Sequence, residues 1–457
     1  MTETQTIDTT TSGARQALDQ AMKAHFSGDL PSAEMHYRTV VDYGYRLADV
    51  LPLVAQVAAL RGDPVAALEF WERLFAFDPD HVVGLMEAGT LNYRLRRYDQ
   101  AVRQFETVAA RHPGHVLALN NLAIALLDSG RQDRALAVFR DLAVLEPGNP
   151  LRYHQIRRTA SAIVPFWHIP MLNDQPRNEA FQTAIERAIA VKGKGALVLD
   201  IGAGSGLLSM MAARAGAETI TTCEMVPVIA EAAAEIVRAN GFGDRITVVG
   251  KSSADLIVGE DMAERADILI SEILSSDLLA EHVLPTFEDA RRRLLRDDAI
   301  IIPARVSAMG CLVESAVLER YSQVGHVSGF DVSAFNALAP QRLPVHGKMT
   351  AWRRLSADTA LLTLDLTSGD NLPGTTILSI EAQEDGDAVG ILQWMKVELS
   401  PGCDFSNHPD GYSEGGWLQI LHPFERTRRV RKGERVEIAA GHDRSSLILV
   451  PVERTGG

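Results

Sequence analysis

Two carboxylates nine positions apart, Glu272 and Glu281, stand in the segment Ser-Glu-Ile-Leu-Ser-Ser-Asp-Leu-Leu-Ala-Glu, directly after the apolar run Ile268-Leu269-Ile270. A planar guanidinium presents five N–H donors in a rigid fork, and two converging carboxylates match that fork while balancing its charge. Nine residues cannot put both side chains on one helical face. Leu274-Ser275-Ser276-Asp277 must therefore turn back for them to meet. If they do not, Glu272 is a strand end and Glu281 a solvated helix residue.

Upstream, Ala196-Leu197-Val198-Leu199-Asp200-Ile201 is a short continuous apolar run, as a buried parallel strand requires. Gly202-Ala203-Gly204-Ser205-Gly206 follows, and an apolar helix begins at Leu207. Strand, glycine turn and helix bring backbone amides close to a ligand. Nicotinamide and flavin enzymes use related loops. Here the glycines are spaced GxGxG after Asp200, and Glu224 closes the next strand, Thr219–Cys223, 18 residues beyond Gly206. That combination favours S-adenosylmethionine (SAM), bound by Asp200, Gly202, Gly204, Gly206 and Glu224, with Glu224 accepting from both ribose hydroxyls.

A helix over 226–240 and strands at 245–249 and 267–270 continue the βα alternation of a doubly wound sheet. Gly250-Lys251-Ser252-Ser253 ends the third strand, where adenine should lie. Ser253 either contacts that ring or caps a helix. A methyl donor beside a clamp for a flat cation predicts methyl transfer to a guanidinium nitrogen.

A chain of 457 residues exceeds one hydrophobic core. Its 46% hydrophobic and 23% charged residues are ordinary for a globular protein. The net charge of -14 argues against general affinity for nucleic acid or anionic membrane, and it suits a basic partner. Cys223, Cys311 and Cys403 are scattered, with no paired or metal-ligand spacing. A reducing compartment is expected, without structural metal or disulfides. The polar N-terminus lacks a signal-peptide layout, and no apolar run approaches the ~18–20 residues of a membrane span. The expected location is the cytoplasm.

The first third repeats with a period of 34: Ala33, Ala67, Ala101 and Ala135, each followed four residues later by Tyr37, Trp71, Phe105 or Phe139. Pro79, Pro113 and Pro147 keep the period, as do Gly28, Gly62 and Gly130, with Arg96 in the third repeat's glycine position. This pattern resembles the tetratricopeptide repeat, in which a small residue lets paired helices approach and proline ends each unit. Such an array either offers a concave face to a partner or only supports the domain that follows.

After Ile300-Ile301-Ile302-Pro303, short strand-like runs broken by Gly, Pro and Asp take over: 306–313, 360–366, 376–380, 390–397, 435–440 and 446–450. An antiparallel sandwich or barrel is expected. The chain thus reads as a disordered tail (1–12), an all-α repeat solenoid (13–150), an α/β Rossmann-like methyltransferase domain (151–305) and an antiparallel β-barrel (306–457).

The stretch SEILSSDLLAEHVLPTFEDARRRLL resembles the double-glutamate loop and following helix of protein arginine methyltransferases. Residues 167–178, Trp-His-Ile-Pro-Met-Leu-Asn-Asp-Gln-Pro-Arg-Asn, resemble that family's N-terminal lid. The likeness covers about 160–457 and is greatest to the subfamily with tandem tetratricopeptide repeats, then to the monomethylating subfamily. It implies that Arg177 pairs with the SAM carboxylate and that Met171 packs near the sulfonium. His168 is a packed lid residue or more. By the same resemblance Trp417 lies near the substrate, and a helical arm around 314–335 makes a homodimer. Gly416 stands where the family has histidine, so Asp331 loses its expected partner unless His408 or His422 substitutes. Three functions stay open: a protein arginine methyltransferase whose repeats recruit substrate, a methyltransferase of a small guanidino or amine metabolite, and a SAM-binding scaffold without catalysis.

Overall fold

The computed structural model describes residues 3–411 and 415–452, and the chain divides between Pro165 and Phe166 into two compact units. The first unit consists of nine helices among the described residues: α1 (Glu3–Ser27), α2 (Leu30–Asp42), α3 (Leu47–Leu60), α4 (Pro64–Phe75), α5 (Val82–Arg94), α6 (Tyr98–Arg111), α7 (Val116–Asp128), α8 (Gln132–Leu145) and α9 (Pro150–Ile163). The period-34 alanines and aromatics all lie buried on α2, α4, α6 and α8, where each alanine lets a neighbouring helix come close. Gly28, Gly62 and Gly130 have φ near +80°, and Arg96 takes the same left-handed turn with φ 58° despite its side chain. The turn is set by the repeat, not by the glycine.

Two expected boundaries move. The polar start, expected as a tail over 1–12, is helical from Glu3, and residues 1 and 2 lie outside the described residues. The repeat unit ends at Pro165 rather than 150, because α9 packs on α8 and completes the array.

The second unit opens with α10 (His168–Leu172) and α11 (Gln175–Lys192). Asp174 caps α11 by accepting from the Arg177 amide at 3.1 Å, and Pro176 sits in the first turn, where its missing N–H costs nothing. Then come β1 (Leu197–Ile201), α12 (Leu207–Ala215), β2 (Thr219–Cys223), α13 (Pro227–Ala239), β3 (Ile246–Val249), β4 (Ala266–Ser271), α14 (Val283–Arg293) and β5 (Leu295–Ile302). The sheet runs β3-β2-β1-β4-β5, and every neighbouring pair is parallel. Chain order reverses between β1 and β4, which places a ligand crevice at their carboxyl ends.

The remainder comprises β6 (Arg305–Glu314), α15 (Ala316–Ser322), β7 (His326–Val327), β8 (Phe330–Asp331), β9 (Leu343–Val345), β10 (Arg353–Arg354), β11 (Thr359–Asp365), β12 (Gly374–Glu381), β13 (Gly386–Ser400), β14 (Cys403–Ser406), β15 (Gln419–Val430), β16 (Arg435–His442) and β17 (Leu447–Pro451). A seven-stranded sheet built on β6, β13 and β15 and a three-stranded sheet β12-β16-β17 carry it, and all their described pairings are antiparallel. Among the described pairings the longer ladder runs from β10 to β9, with no pairing recorded between those two strands. One hydrophobic core runs from Phe181 and Leu199 through Ile270 to Met395 and Val436, so residues 166–452 fold as one body rather than as separate domains split at 305. No described helix is long and apolar enough to cross a membrane.

Candidate active site

The glycine turn leaves β1 with three left-handed residues, Gly202 (φ 84°), Gly204 (φ 52°) and Gly206 (φ 78°). A Cβ on Gly202 would meet Ile273 at 2.8 Å and one on Gly206 would meet Val237 at 3.0 Å, whereas one on Gly204 would meet nothing within 4 Å. Packing thus favours glycine at 202 and 206, whereas Gly204 has a left-handed φ and open space beside it. The Gly202 and Ala203 amides both donate to the Cys223 carbonyl at 3.0 Å, tying the turn to the end of β2. Glu224, buried at that end, accepts from the Gly204 amide at 3.1 Å and from the Val226 amide at 3.0 Å. Each carboxylate oxygen keeps a second acceptor site for a ligand hydroxyl.

Asp200 lies deeper. It is buried and accepts from Ser209 Oγ at 2.6 Å, and burial pushes its carboxyl up to about 6. It braces the turn from behind. Ser252, not Ser253, caps the short helix Ser253–Asp255, accepting from the Ala254 amide at 3.3 Å. The Ser253 carbonyl is held by Arg293 at 3.0 Å, and that serine is half-buried near the end of β3.

Glu272 follows β4 at the sheet's carboxyl edge, and its side chain is 4% exposed. Burial pushes its carboxyl up to about 7; Arg177 opposes that rise and the Glu281 charge adds to it. The chain does turn back between the two glutamates. Leu278 N donates to the Ser275 carbonyl at 2.8 Å, Asp277 accepts from Ser275 Oγ at 2.5 Å, and Leu278 has φ 76°. His282, just after Glu281, also has a positive φ, 56°. Glu281 is exposed at the rim, yet partial burial of its carboxyl raises it above the ordinary range, with nearby His168 opposing the rise and Glu224 and Asp277 adding to it.

Arg177 joins the halves of the site. Its Nη2 donates to Glu272 and its Nη1 to Asn178 Oδ1 at 2.9 Å. Its guanidinium lies 5.1 Å from the Phe181 ring centre and 5.6 Å from that of Trp417. Arg177 Nε and His168 Nδ1 are buried donors or acceptors without a protein partner. Such orphans fit a ligand that brings a carboxylate into the crevice. Met171, on α10, is half-buried. With the open face at Gly204 and Glu224 held beside it, these residues fit SAM.

Trp417 is buried, and its Nε1 donates to the Leu274 carbonyl at 2.8 Å. The neighbouring Leu418 amide donates to Ser276 Oγ at 3.0 Å, Gln393 Nε2 to the Ser276 carbonyl at 3.1 Å, and Arg342 pairs with Asp277. The β-rich half therefore holds the double-glutamate loop in place. Of these supports, only Trp417 was legible in the sequence; Gln393, Arg342 and Leu418 carry no local signal, since their partners lie 65 or more positions away.

Neither proposed histidine replaces the missing family contact. His408 Nε2 lies 3.0 Å from Asp358 and 2.9 Å from Arg354. His422 is buried beside Gln393, and burial pushes its imidazole down to about 4. Among the described residues neither bonds Asp331, which is exposed and accepts from the Ser333 amide at 2.9 Å.

Residues 86–150 match the tetratricopeptide repeat family, and residues 182–303 match the family described as ribosomal protein L11 methyltransferase (PrmA). An arginine N(omega)-methyltransferase from Streptomyces achromogenes subsp. streptozoticus is 39% identical over 279 residues, covering 61% of this chain and 76% of that protein. The chain belongs to the arginine N-methyltransferase family. It is a SAM-dependent N-methyltransferase. Protein arginine N-methyltransferase 7 from Drosophila grimshawi is 31% identical over half of this chain. The chain spans only 35% of that relative's length, and 44% of the Danio rerio protein of the same name. Among solved structures, the Trypanosoma brucei PRMT1 enzyme-prozyme heterotetrameric complex with AdoHcy is 26% identical with a TM-score of 0.53, covering 60% of this chain and 86% of that one. Arabidopsis thaliana protein arginine methyltransferase 10, 18% identical with a TM-score of 0.50, covers 61% of this chain and 88% of that one and shares the fold.

Proposed function

We propose that this methyltransferase acts on arginine in proteins or peptides, holding the guanidinium between Glu272 and Glu281. The observation that carries the reading is that Glu272, at the rim of the sheet, already binds a guanidinium, that of Arg177, while Glu281 adds a second negative charge nearby. Two such carboxylates orient the acceptor, draw positive charge away from the attacking nitrogen and stabilise the cation that forms.

When bound, SAM supplies an electrophilic methyl group on a sulfonium. In this reading the amides of Gly202, Gly204 and Gly206 line its site, Glu224 accepts from its ribose hydroxyls, and Ser253 lies toward its adenine. Arg177 holds its carboxylate, Met171 flanks the sulfur, and Asp200 supports the turn. Trp417 backs the acceptor side. The repeats recruit substrate or a partner protein in the cytoplasm. A homodimer forms through α15 and the segment after it, where Tyr321, Val327, Phe330, Phe335 and Leu338 are exposed apolar side chains. Light scattering returning only a monomer would remove the dimer.

One observation favours a second reading, a free guanidino compound as acceptor. The 39% identical relative is named for arginine, whereas the methyltransferase 7 relatives are named for protein arginine. The experiment that separates them incubates the full chain with isotopically labelled SAM, arginine-rich peptides and free arginine, followed by mass analysis. Label on peptide arginine supports the first reading and label on free arginine alone the second. Label on neither overturns both.

A further inference from the structure

Gly416 has no backbone reason to be glycine, for it is absent from the positive-φ residues. Its reason is space. A Cβ built there would fall 2.8 Å from Met171 Cβ, 2.9 Å from Met171 Cα and 3.1 Å from Met171 N. The obstacle is the backbone of α10, which cannot step aside as a flexible side chain would. Residue 417 next to it stacks on Arg177 and bonds the loop at Leu274, while His168, at the start of α10, bears electrostatically on Glu281. Helix α10, the turn at 416–417 and the 272–281 loop are thus linked by these contacts, and the missing side chain at 416 lets the first two touch.

We propose that Gly416 sets the width of the acceptor's way in. It lets α10 seat directly on the turn before Trp417, and so selects arginine presented without bulky neighbours: the free amino acid or a residue flanked by glycine. This inference rests on the arginine-methyltransferase reading and deepens it. Any side chain at 416 must push α10 outward, opening the mouth toward arginine with large flanking residues. Gly416 does not touch the reacting atoms; it is a specificity-determining residue acting through the position of Met171.

The test uses the full chain and its Gly416→Ala and Gly416→His variants. Acceptors are free arginine, Gly-Arg-Gly and Leu-Arg-Leu, and SAM affinity is followed by calorimetry. The wild type should prefer the first two acceptors. In both variants the kcat/KM ratio of Leu-Arg-Leu to Gly-Arg-Gly should rise by about tenfold or more, the scale of steric discrimination at a binding pocket, mainly through KM. Gly416→Ala adds one methyl and needs no unusual φ, so it tests the contact even if the histidine variant fails to fold. An unchanged ratio in Gly416→Ala would overturn the proposal. So would loss of SAM binding in that folded variant with the ratio unchanged, which would assign the contact to the donor. No methylation of any acceptor by wild type would instead overturn the arginine reading beneath it.

Discussion

Arg177 and Glu272 form an ion pair whose two side chains are each 4% exposed, with the Arg177 guanidinium also against the rings of Phe181 and Trp417. The residue proposed to hold the donor's carboxylate is therefore bonded to one proposed to hold the acceptor. On the proposed assignment the donor and acceptor sites would share this ion pair, which neither residue's position in the chain suggests.

Removing Glu272 should consequently disturb the donor as well as the acceptor. Glu272→Gln leaves the buried Arg177 charge without its anion, a loss on the order of 3–5 kcal/mol for broken buried pairs. SAM affinity should fall by about tenfold or more in Glu272→Gln and stay within about threefold in Glu281→Gln. Calorimetric titration of both variants checks this; equal affinities would separate the two sites.

The pH dependence follows from the same carboxyl. Burial raises Glu272 to about 7 in the free protein, and only its ionised form holds a cation. kcat/KM for the acceptor should rise with pH through about 7 and fall away below it. A bound guanidinium favours the ionised carboxylate, so the inflection in kcat should lie lower. A profile flat between pH 6 and 8 would contradict this assignment.

Gly204 tests the donor site independently. It has φ 52° and open space beyond its Cα, so Gly204→Arg both strains the turn and fills the face left open there. SAM titration should show no binding while far-ultraviolet circular dichroism stays that of the wild type. Binding at wild-type affinity would move the donor elsewhere.

Asp200 makes a statement about stability. Its carboxyl is raised from the ordinary 3.8 to about 6 by burial, so the folded state holds that proton more tightly than the unfolded chain. The stabilisation this confers is fully present below about pH 4 and is lost as pH rises through 6, a change of roughly 3 kcal/mol. Asp200→Asn should remove that dependence. Relative to wild type, its urea midpoint should move in the variant's favour between pH 4 and pH 7. A difference constant with pH would rule the effect out.

Much of this was legible in the sequence because local patterns carried it. The period-34 alanines and aromatics fell on buried faces of α2, α4, α6 and α8, and the strand at 219–223 ended on Glu224 as read. Runs at 306–313, 360–366, 376–380, 390–397, 435–440 and 446–450 became β6, β11, β12, β13, β16 and β17. What stayed hidden was long-range or sterically subtle. The polar and charged residues of β15 concealed a strand that pairs with β13 for most of its length. The Arg177–Glu272 bond spans 95 positions, and the crowding at Gly416 exists only because α10 folds against it. Of the two readings of Ser253, adenine contact or helix cap, the cap falls instead on Ser252, a one-position difference that spacing alone does not resolve.

The most direct test of the central claim is tandem mass spectrometry of an arginine peptide treated with labelled SAM and wild-type protein, or with Glu281→Gln. The two-glutamate account predicts label on a guanidino nitrogen with wild type, and turnover about 100-fold or more lower with Glu281→Gln at similar SAM affinity. Label on any other atom, or full turnover in that variant, would contradict it.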